Sequence, residues 1–478
     1  MGRAGLCYGM LRTLALLVIA GLAAPSAQQS LAPHQQLARD VYKELIEINT
    51  AVTTGNTTPA AEAMAKRFRA AGFPADDVFV GGPHPNKGNL VVRYRGRPGA
   101  TRRPLLLLAH IDVVEAKKED WSAGLDPFVL TEKDGFFYGR GTVDDKAMAS
   151  IFVANLLRMK SQNLVPDRDL ILALTADEEG GDHNGVQWLL ANHRARVDAE
   201  YGLNEGGGGQ ARAGRKIANR VQASEKMYVD FTLEATNKGG HSSQPQPENA
   251  LYDLADALAR IGKYTFPAKT NEVTRAYFEK MAGIETGALA ADFKAVAQAT
   301  PNVDVVARLS ATPLYNAMLR TTCVATMASA GHAPNALPQR ATANVNCRIL
   351  PGEDPHAVQQ ALAKAVNNPR VSITPVDAAK PSPPSPLTPE VMQAITRVTE
   401  EMFPGVPVIP FMSTGATDGL YFRQAGIPIY GVSGLFGDMD DNRAHGRDER
   451  MGVKEFYDGQ EFLWWLVNAL SGARAARG

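Results

Sequence analysis

From residue 31 the apolar positions first recur at helical spacing. In "LARDVYKELIEINT", Val41, Leu45, Ile46 and Ile48 suit one face of a helix, and "TPAAEAMAKRFRAAGF" continues in the same manner with Gly72 as a stop signal. The pattern then shifts to unbroken apolar runs. "NLVVRY", "PLLLLAHIDVV" and "DLILALTADEE" read as strands, and a helix is predicted between the last two, from about Ala147 to Lys160. Helices alternating with fully apolar strands predict an α/β fold: a mostly parallel sheet buried by helices on both faces.

Near residue 222 the period changes again. "EKMYVDFTLEA" alternates like a strand with one exposed face, a helix "NALYDLADALARIG" follows, and "TTCVATMAS" and "ATANVNCRIL" are further strands. These features predict an inserted α+β module over 222–377. "AAKPSPPSPLTPE" follows as a proline-rich stretch, expected to be a stiff, exposed linker at 378–389. Residues 390–478 return to the first pattern, with "VPVIPFM" and "IPIYGVS" as strands and "KEFYDGQEFLWWLVNAL" as a closing helix. One domain, 31–221 plus 390–478, is therefore expected to be interrupted by another.

A length of 478 residues agrees with two domains. Fifty basic residues balance fifty acidic ones, so no net field favours nucleic acid or an anionic membrane, and a small-molecule or peptide partner is expected. At the N-terminus, Arg3 and Arg12 precede "LALLVIAGLAA" and the small residues of "APSA", which reads as a signal peptide over 1–27. That apolar run is about half of the ~20 residues that span a bilayer. Export to a periplasmic or extracellular space is expected over an uncleaved anchor, with no stable membrane partner. Cys323 and Cys347 would remain after processing. They lie equally far from Asn335, the middle of the intervening turn region, so they are expected to be neighbours on antiparallel strands, either as a disulfide or as two thiols.

Polar clusters interrupt the apolar runs: "HID" at 110 to 112, "GRGTVDDK" at 139 to 146, "TADEEGG" at 175 to 181, "NEGGGG" at 204 to 209, and "AHGRDE" at 444 to 449. Singly each has an ordinary structural explanation, such as a hydrogen-bonded rim histidine, a helix cap or a turn. Together they place imidazoles and carboxylates where parallel strands end, the usual ligand site of such sheets, and that donor set suits zinc or a similar divalent ion.

The order H-x-D, G-R-G-x-x-D-x-K, D-E-E-G, N-E-G, an inserted G-G-H-S-S and a late H-G-x-x-E resembles the dizinc aminoacylase and carboxypeptidase family, which includes glutamate carboxypeptidase and succinyl-diaminopimelate desuccinylase. Trp121, Pro127 and Phe128 ahead of "YGRGTVDDK" look most like its Gly-X carboxypeptidase and carnosine dipeptidase branch. The resemblance implies two Zn2+ ions, with Co2+ or Mn2+ as alternatives. His110, Asp144 and Glu205 would hold one ion, and Asp144, Glu179 and His445 the other. Asp144 would be the bridge, setting the ions about 3.5 to 4 Å apart to activate water and polarise a carbonyl. Glu178 would be the general base. Asp112, two residues from His110 and so on the same side of a strand, would accept a hydrogen bond from its imidazole. The peptide bond after Asp144 is expected to be cis.

In the inserted module, His241 resembles the histidine that reaches across a homodimer to steady an oxyanion. Asn335 and Arg348 resemble the pair that grips substrate, and a guanidinium can hold a free carboxylate with two prongs. "STGATDG", with Gly415, would add loop contacts. The expected activity is hydrolysis of the amide bond to a C-terminal amino acid in short peptides or N-acyl amino acids. A non-catalytic relative serving as a binding domain should have lost a ligand or the base, whereas His110, Asp144, Glu178, Glu179, Glu205 and His445 are all present. The segment 262–315 resembles a helical excursion of some members, and no role follows for it.

Overall fold

The apolar runs predicted as strands form the middle of a ten-stranded sheet in the computed structural model, which describes residues 30–298 and 302–475. The expected signal peptide lies outside the described residues. Leu105–His110, Leu170–Thr175 and Tyr201–Asn204 are buried along their whole length and pair in parallel, with Ile429–Gly431 parallel to the last of them. Antiparallel strands extend both sides. Asn89–Tyr94 and Val78–Gly81 lie beyond Leu170–Thr175, while Arg215–Glu225 joins Ile429–Gly431 to Gly209–Arg212 and carries Val408–Ser413 in parallel.

Alternation along one strand divides two cores. Leu105 and Leu107 point into the larger, where Val41 and Leu45 of the Pro33–Glu47 helix, Phe152 of Lys146–Ser161, Ile395 of Pro389–Met402 and Leu463 of Val453–Ser471 converge. Leu106 and Leu108 face Val186 and Leu189 of the Gly185–Asn192 helix, together with Phe422. Each such fully buried side chain is worth about 1.5 to 3 kcal/mol, so a strand with no exposed residue is held from both sides. The helix predicted from Ala147 to Lys160 is there within a residue at each end.

A second, antiparallel sheet runs in the order Thr322–Ala330, Arg340–Ile349, Met227–Thr236, Val371–Pro375. Its strands alternate cleanly. Val229, Phe231, Leu233, Val345 and Cys347 pack under Leu254, Ala257 and Ile261 of the Ala250–Lys263 helix and under Val358 and Leu362, while the intervening side chains form a polar outer face. Cys323 and Cys347 are directly opposite one another on adjacent antiparallel strands and joined as a disulfide, their Cα atoms 4.1 Å apart.

Three details differ from the sequence pattern. The strand Arg215–Glu225 runs through the expected boundary at 222, with Gln222 and Ser224 still paired in the large sheet. The helical excursion, with helices Glu272–Ala282, Gly287–Val296, Val303–Ser310 and Pro313–Leu319, sends Tyr277, Phe278, Phe293, Val296 and Leu319 into the core of the large sheet rather than the small one. The proline-rich stretch is not wholly exposed: Ser382 and Ser385 are 3% and 1% accessible. Ser382 donates to Glu225 (2.8 Å), a fully buried carboxylate that also takes Arg423 (2.7 Å) and Thr417 (2.9 Å). A charge buried beside the crossing between the sheets needs these donors, and the linker is drawn inward to supply one.

Candidate metal centre

His110 is the last residue of its strand, and the polar clusters that follow Thr175 and Asn204 on the neighbouring parallel strands arrive at the same end of the sheet. Asp144 lies between two histidines. Its Oδ1 is 2.9 Å from His110 Nε2 and its Oδ2 is 3.0 Å from His445 Nε2, which is also 3.0 Å from Glu179 Oε2. Donor atoms of His110, Glu178 and Glu205 lie within 4.8 Å of one another, as do those of His110, Asp144 and Glu179. The Asp144–Asp145 peptide bond is cis.

Concentrated charge perturbs the titration of these groups. Burial would raise Asp144, but hydrogen bonds from His110 and His445 hold it well below the usual carboxylate range. Burial would lower His110, yet the hydrogen bond and charge of Asp144, helped by Glu178 and Glu205, carry it well above 6.5. The Asp144 and Glu179 hydrogen bonds push His445 up to about 10. Burial raises Glu178, with Asp418 and Asp112 adding to the effect against His110, and it raises Glu205, with Asp144 and Glu178 adding to it.

The residues fit divalent cations. Glu179 Oε1 and Asp145 Oδ2 are buried without a hydrogen-bond partner, and among the described residues no lysine or arginine side chain bonds the carboxylates of Asp144, Asp145, Glu178, Glu179 or Glu205. Such an excess of buried negative charge around two imidazoles is what a pair of cations would neutralise.

Asp112 departs from the expected contact. His110 Nδ1 is 3.0 Å from the backbone oxygen of Asp112 and 3.7 Å from its carboxylate. The strand ends at His110, so same-side alternation does not extend to Asp112. Its carboxylate instead accepts the backbone N–H groups of Glu178 (3.1 Å) and Glu179 (3.0 Å), aiming both acids. The loop is braced again behind them, where Asp177 pairs with Lys87 and accepts His183 N (2.9 Å).

Two further acids had no role assigned from the sequence. Glu449, fully buried, accepts from Arg140 Nη1 (2.7 Å) and from the backbone N–H groups of Gly141 (3.2 Å), Val143 (2.7 Å) and Asp144 (3.2 Å), so it holds the loop that sets the Asp144 carboxylate between the two imidazoles. Its signal was its place four residues after His445. Asp418, in "STGATDG", accepts from Thr175 (3.0 Å) and Asn184 (2.6 Å), and burial raises its carboxyl to about 6.

The remaining sequence-derived candidates lie elsewhere. His241 and Asn335 are adjacent, Ser242 N donating to Asn335 O (2.9 Å), and among the described residues neither hydrogen-bonds the metal cluster. Arg348 is on the outer face of the small sheet, and Gly415 is in the loop after Val408–Ser413 with its N–H on Ser413 Oγ (3.1 Å).

Known proteins resemble the chain over most of its length. The N-fatty-acyl-amino acid synthase/hydrolase PM20D1 of Xenopus tropicalis is 30% identical over 355 residues, 73% of this chain and 69% of the relative, and the probable carboxypeptidase S-like 2 of Dictyostelium discoideum is 28% identical over 396, 79% and 74%. The M20 family metallo-carboxypeptidase Sso-CP2 from Sulfolobus solfataricus has a similar fold, with a TM-score of 0.66 at 18% identity over 91% of this chain and 99% of that one. Residues 106–468 match the model of peptidase family M20/M25/M40, spanning every proposed metal ligand, and the chain belongs to that family.

Proposed function

We propose that the chain is a metal-dependent hydrolase that removes a C-terminal amino acid from short peptides or N-acyl amino acids, with zinc as its metal. The observation that carries this reading is the placement of Asp144, whose two carboxylate oxygens each meet a different imidazole. His110, Asp144 and Glu205 would hold one cation and Asp144, Glu179 and His445 the other. When bound, such a pair supplies Lewis acidity toward water and the scissile carbonyl. Glu178 takes a proton from the attacking water and returns it to the leaving nitrogen, so the amide becomes a carboxylate and a free amine. Asp112 fixes where Glu178 points through its backbone N–H, and Arg348 holds the free carboxylate of the departing amino acid.

The relative named as an N-fatty-acyl-amino acid synthase/hydrolase favours N-acyl amino acids as the first substrates to try. We also propose export and a homodimer. No helix among the described residues is long and apolar enough to cross a membrane. The edge strand Thr322–Ala330 is largely exposed, with Val324 60% and Met327 72% accessible, and a second copy would cover it. His241 would then serve the site of the other copy.

The test uses the purified full chain, measuring bound metal and release of free amine from a panel of N-acyl amino acids and dipeptides, with and without chelator. Bound divalent metal with chelator-sensitive hydrolysis is expected. Absence of both would overturn the reading.

A further inference from the structure

The outer face of the small sheet surrounds Arg348 with residues to which the hydrolase reading gives no role. Tyr228 and Arg348 are directly opposite on paired strands, and the Arg348 guanidinium lies over the Tyr228 ring, 4.6 Å from its centroid. Diagonal to Arg348 is Asp230, the natural partner for a guanidinium. The two do not form an ion pair. Asp230 is instead occupied by uncharged donors: the Tyr228 hydroxyl at 2.5 Å, Asn344 Nδ2 at 2.9 Å and Asn346 Nδ2 at 2.9 Å, with Asn344 also reaching Thr326 at 2.8 Å. Among the described residues Arg348 has no hydrogen-bond acceptor in the protein, so its N–H fork is available to an outside carboxylate.

The backbone beneath is held firmly. Val229, Val345 and Cys347 alternate with these polar residues and point into the core of the small sheet, and the Cys323–Cys347 disulfide joins strands one residue from Arg348. The guanidinium is therefore restrained by a stacked ring and a fixed strand, while the carboxylate that would quench it is diverted.

We propose that Tyr228 and Asp230 are positioning residues that keep Arg348 open to the substrate's free carboxylate, so that this face sets a preference for acids over amides. The inference rests on the hydrolase reading above and adds to it the residues that control selectivity. An ordinary polar sheet surface would have no such effect on selectivity.

The experiment measures kcat and KM of the metal-loaded full chain for one N-acyl amino acid and for its C-terminal amide. Wild type is expected to favour the acid by about a hundredfold or more in kcat/KM, since an amide cannot accept both prongs of the fork. Tyr228→Leu should raise KM for the acid about three- to thirtyfold, the range of a stacked cation, with kcat within about twofold and the amide unaffected. Tyr228→Phe keeps the ring and frees one side of Asp230, so a smaller rise of about two- to fivefold is expected. Asn344→Leu with Asn346→Leu should also raise KM by releasing Asp230 toward Arg348, and adding Asp230→Asn should restore it. An unchanged KM in both Tyr228 variants, or equal losses for acid and amide, would overturn the inference alone. If Tyr228→Leu loses stability, the Tyr228→Phe comparison and the Asp230→Asn rescue still decide. A wild type that hydrolyses neither compound would overturn the hydrolase reading and this inference with it.

Discussion

The two sheets carry polar groups in opposite ways. At one end of the large sheet, His110 from the end of its strand and Asp144, Glu178, Glu179 and Glu205 from loops converge into a partly buried cluster with more negative charge than its own side chains balance. On the small sheet, Tyr228, Asp230, Asn344, Asn346 and Arg348 lie on one outer face, each on a regular strand, and balance each other with neutral donors. The first arrangement leaves an excess of negative charge that protons or cations from outside would relieve. The second is stable alone and leaves one group available. Chemistry that must polarise a bond needs the first kind of site, and recognition of a ligand already charged in water is served by the second.

The comparison is broken most severely at Glu178. Glu178→Gln should cut kcat by about 10² to 10⁴ while bound metal, read by elemental analysis, stays unchanged; Glu179→Gln should lose metal. If Glu178→Gln lost metal and Glu179→Gln kept both metal and activity, the roles would be reversed. Next, Glu449→Leu should lower the unfolding free energy by about 3 to 5 kcal/mol in denaturant titration, because Arg140 is left buried and unpaired. Metal content should fall with it, since the Val143 and Asp144 N–H groups lose their acceptor.

The small sheet should respond differently. Cys347→Ser, opening a link between residues 24 apart, should cost about 2 to 4 kcal/mol of stability yet leave metal content and kcat intact. A loss of metal in this variant would show that the two sheets do not act independently. The effect smallest at any one pH step concerns Lys226, where the chain passes from one sheet to the other. Burial, with Arg348 adding to it, lowers its ammonium to about 7. The unfolded chain then binds a proton that the folded one does not between about pH 7 and 10.5, so this residue makes stability rise with pH across that window. Lys226→Met should flatten the slope of unfolding free energy there by about 1 kcal/mol per pH unit.

The same contrast explains what could be read from sequence. A strand that ends in a site places its chemistry in one short run, so "HID", "DEE" and "NEG" stood out inside apolar surroundings, and the alternation of fully buried strands with helices identified the sheet. A face assembled across strands leaves no run. Tyr228 and Arg348 are partners only through register, and Asp230 meets Asn344 and Asn346 from more than a hundred residues away. Asp112 was placed beside His110 by strand alternation, but the strand stops at His110, short of Asp112. Glu449 was visible as the last acid of H-G-x-x-E but without a role, because backbone N–H groups, its main partners, have no letter in the sequence. Ser382 and Ser385 looked exposed because proline-rich stretches usually are, and only the buried Glu225 and Arg423 reveal why these hydroxyls turn inward.

The grip of Glu449 on Asp144 spans 305 residues of chain. During synthesis, therefore, the loop that carries Asp144 waits without its acceptor while 305 further residues are added, and His445 arrives only four residues before Glu449. A partly made chain has the acids but not the bracket that orders them, so it cannot capture its ions early in their final geometry. Assembly of the candidate centre therefore waits on residues made long after the loop that it orders.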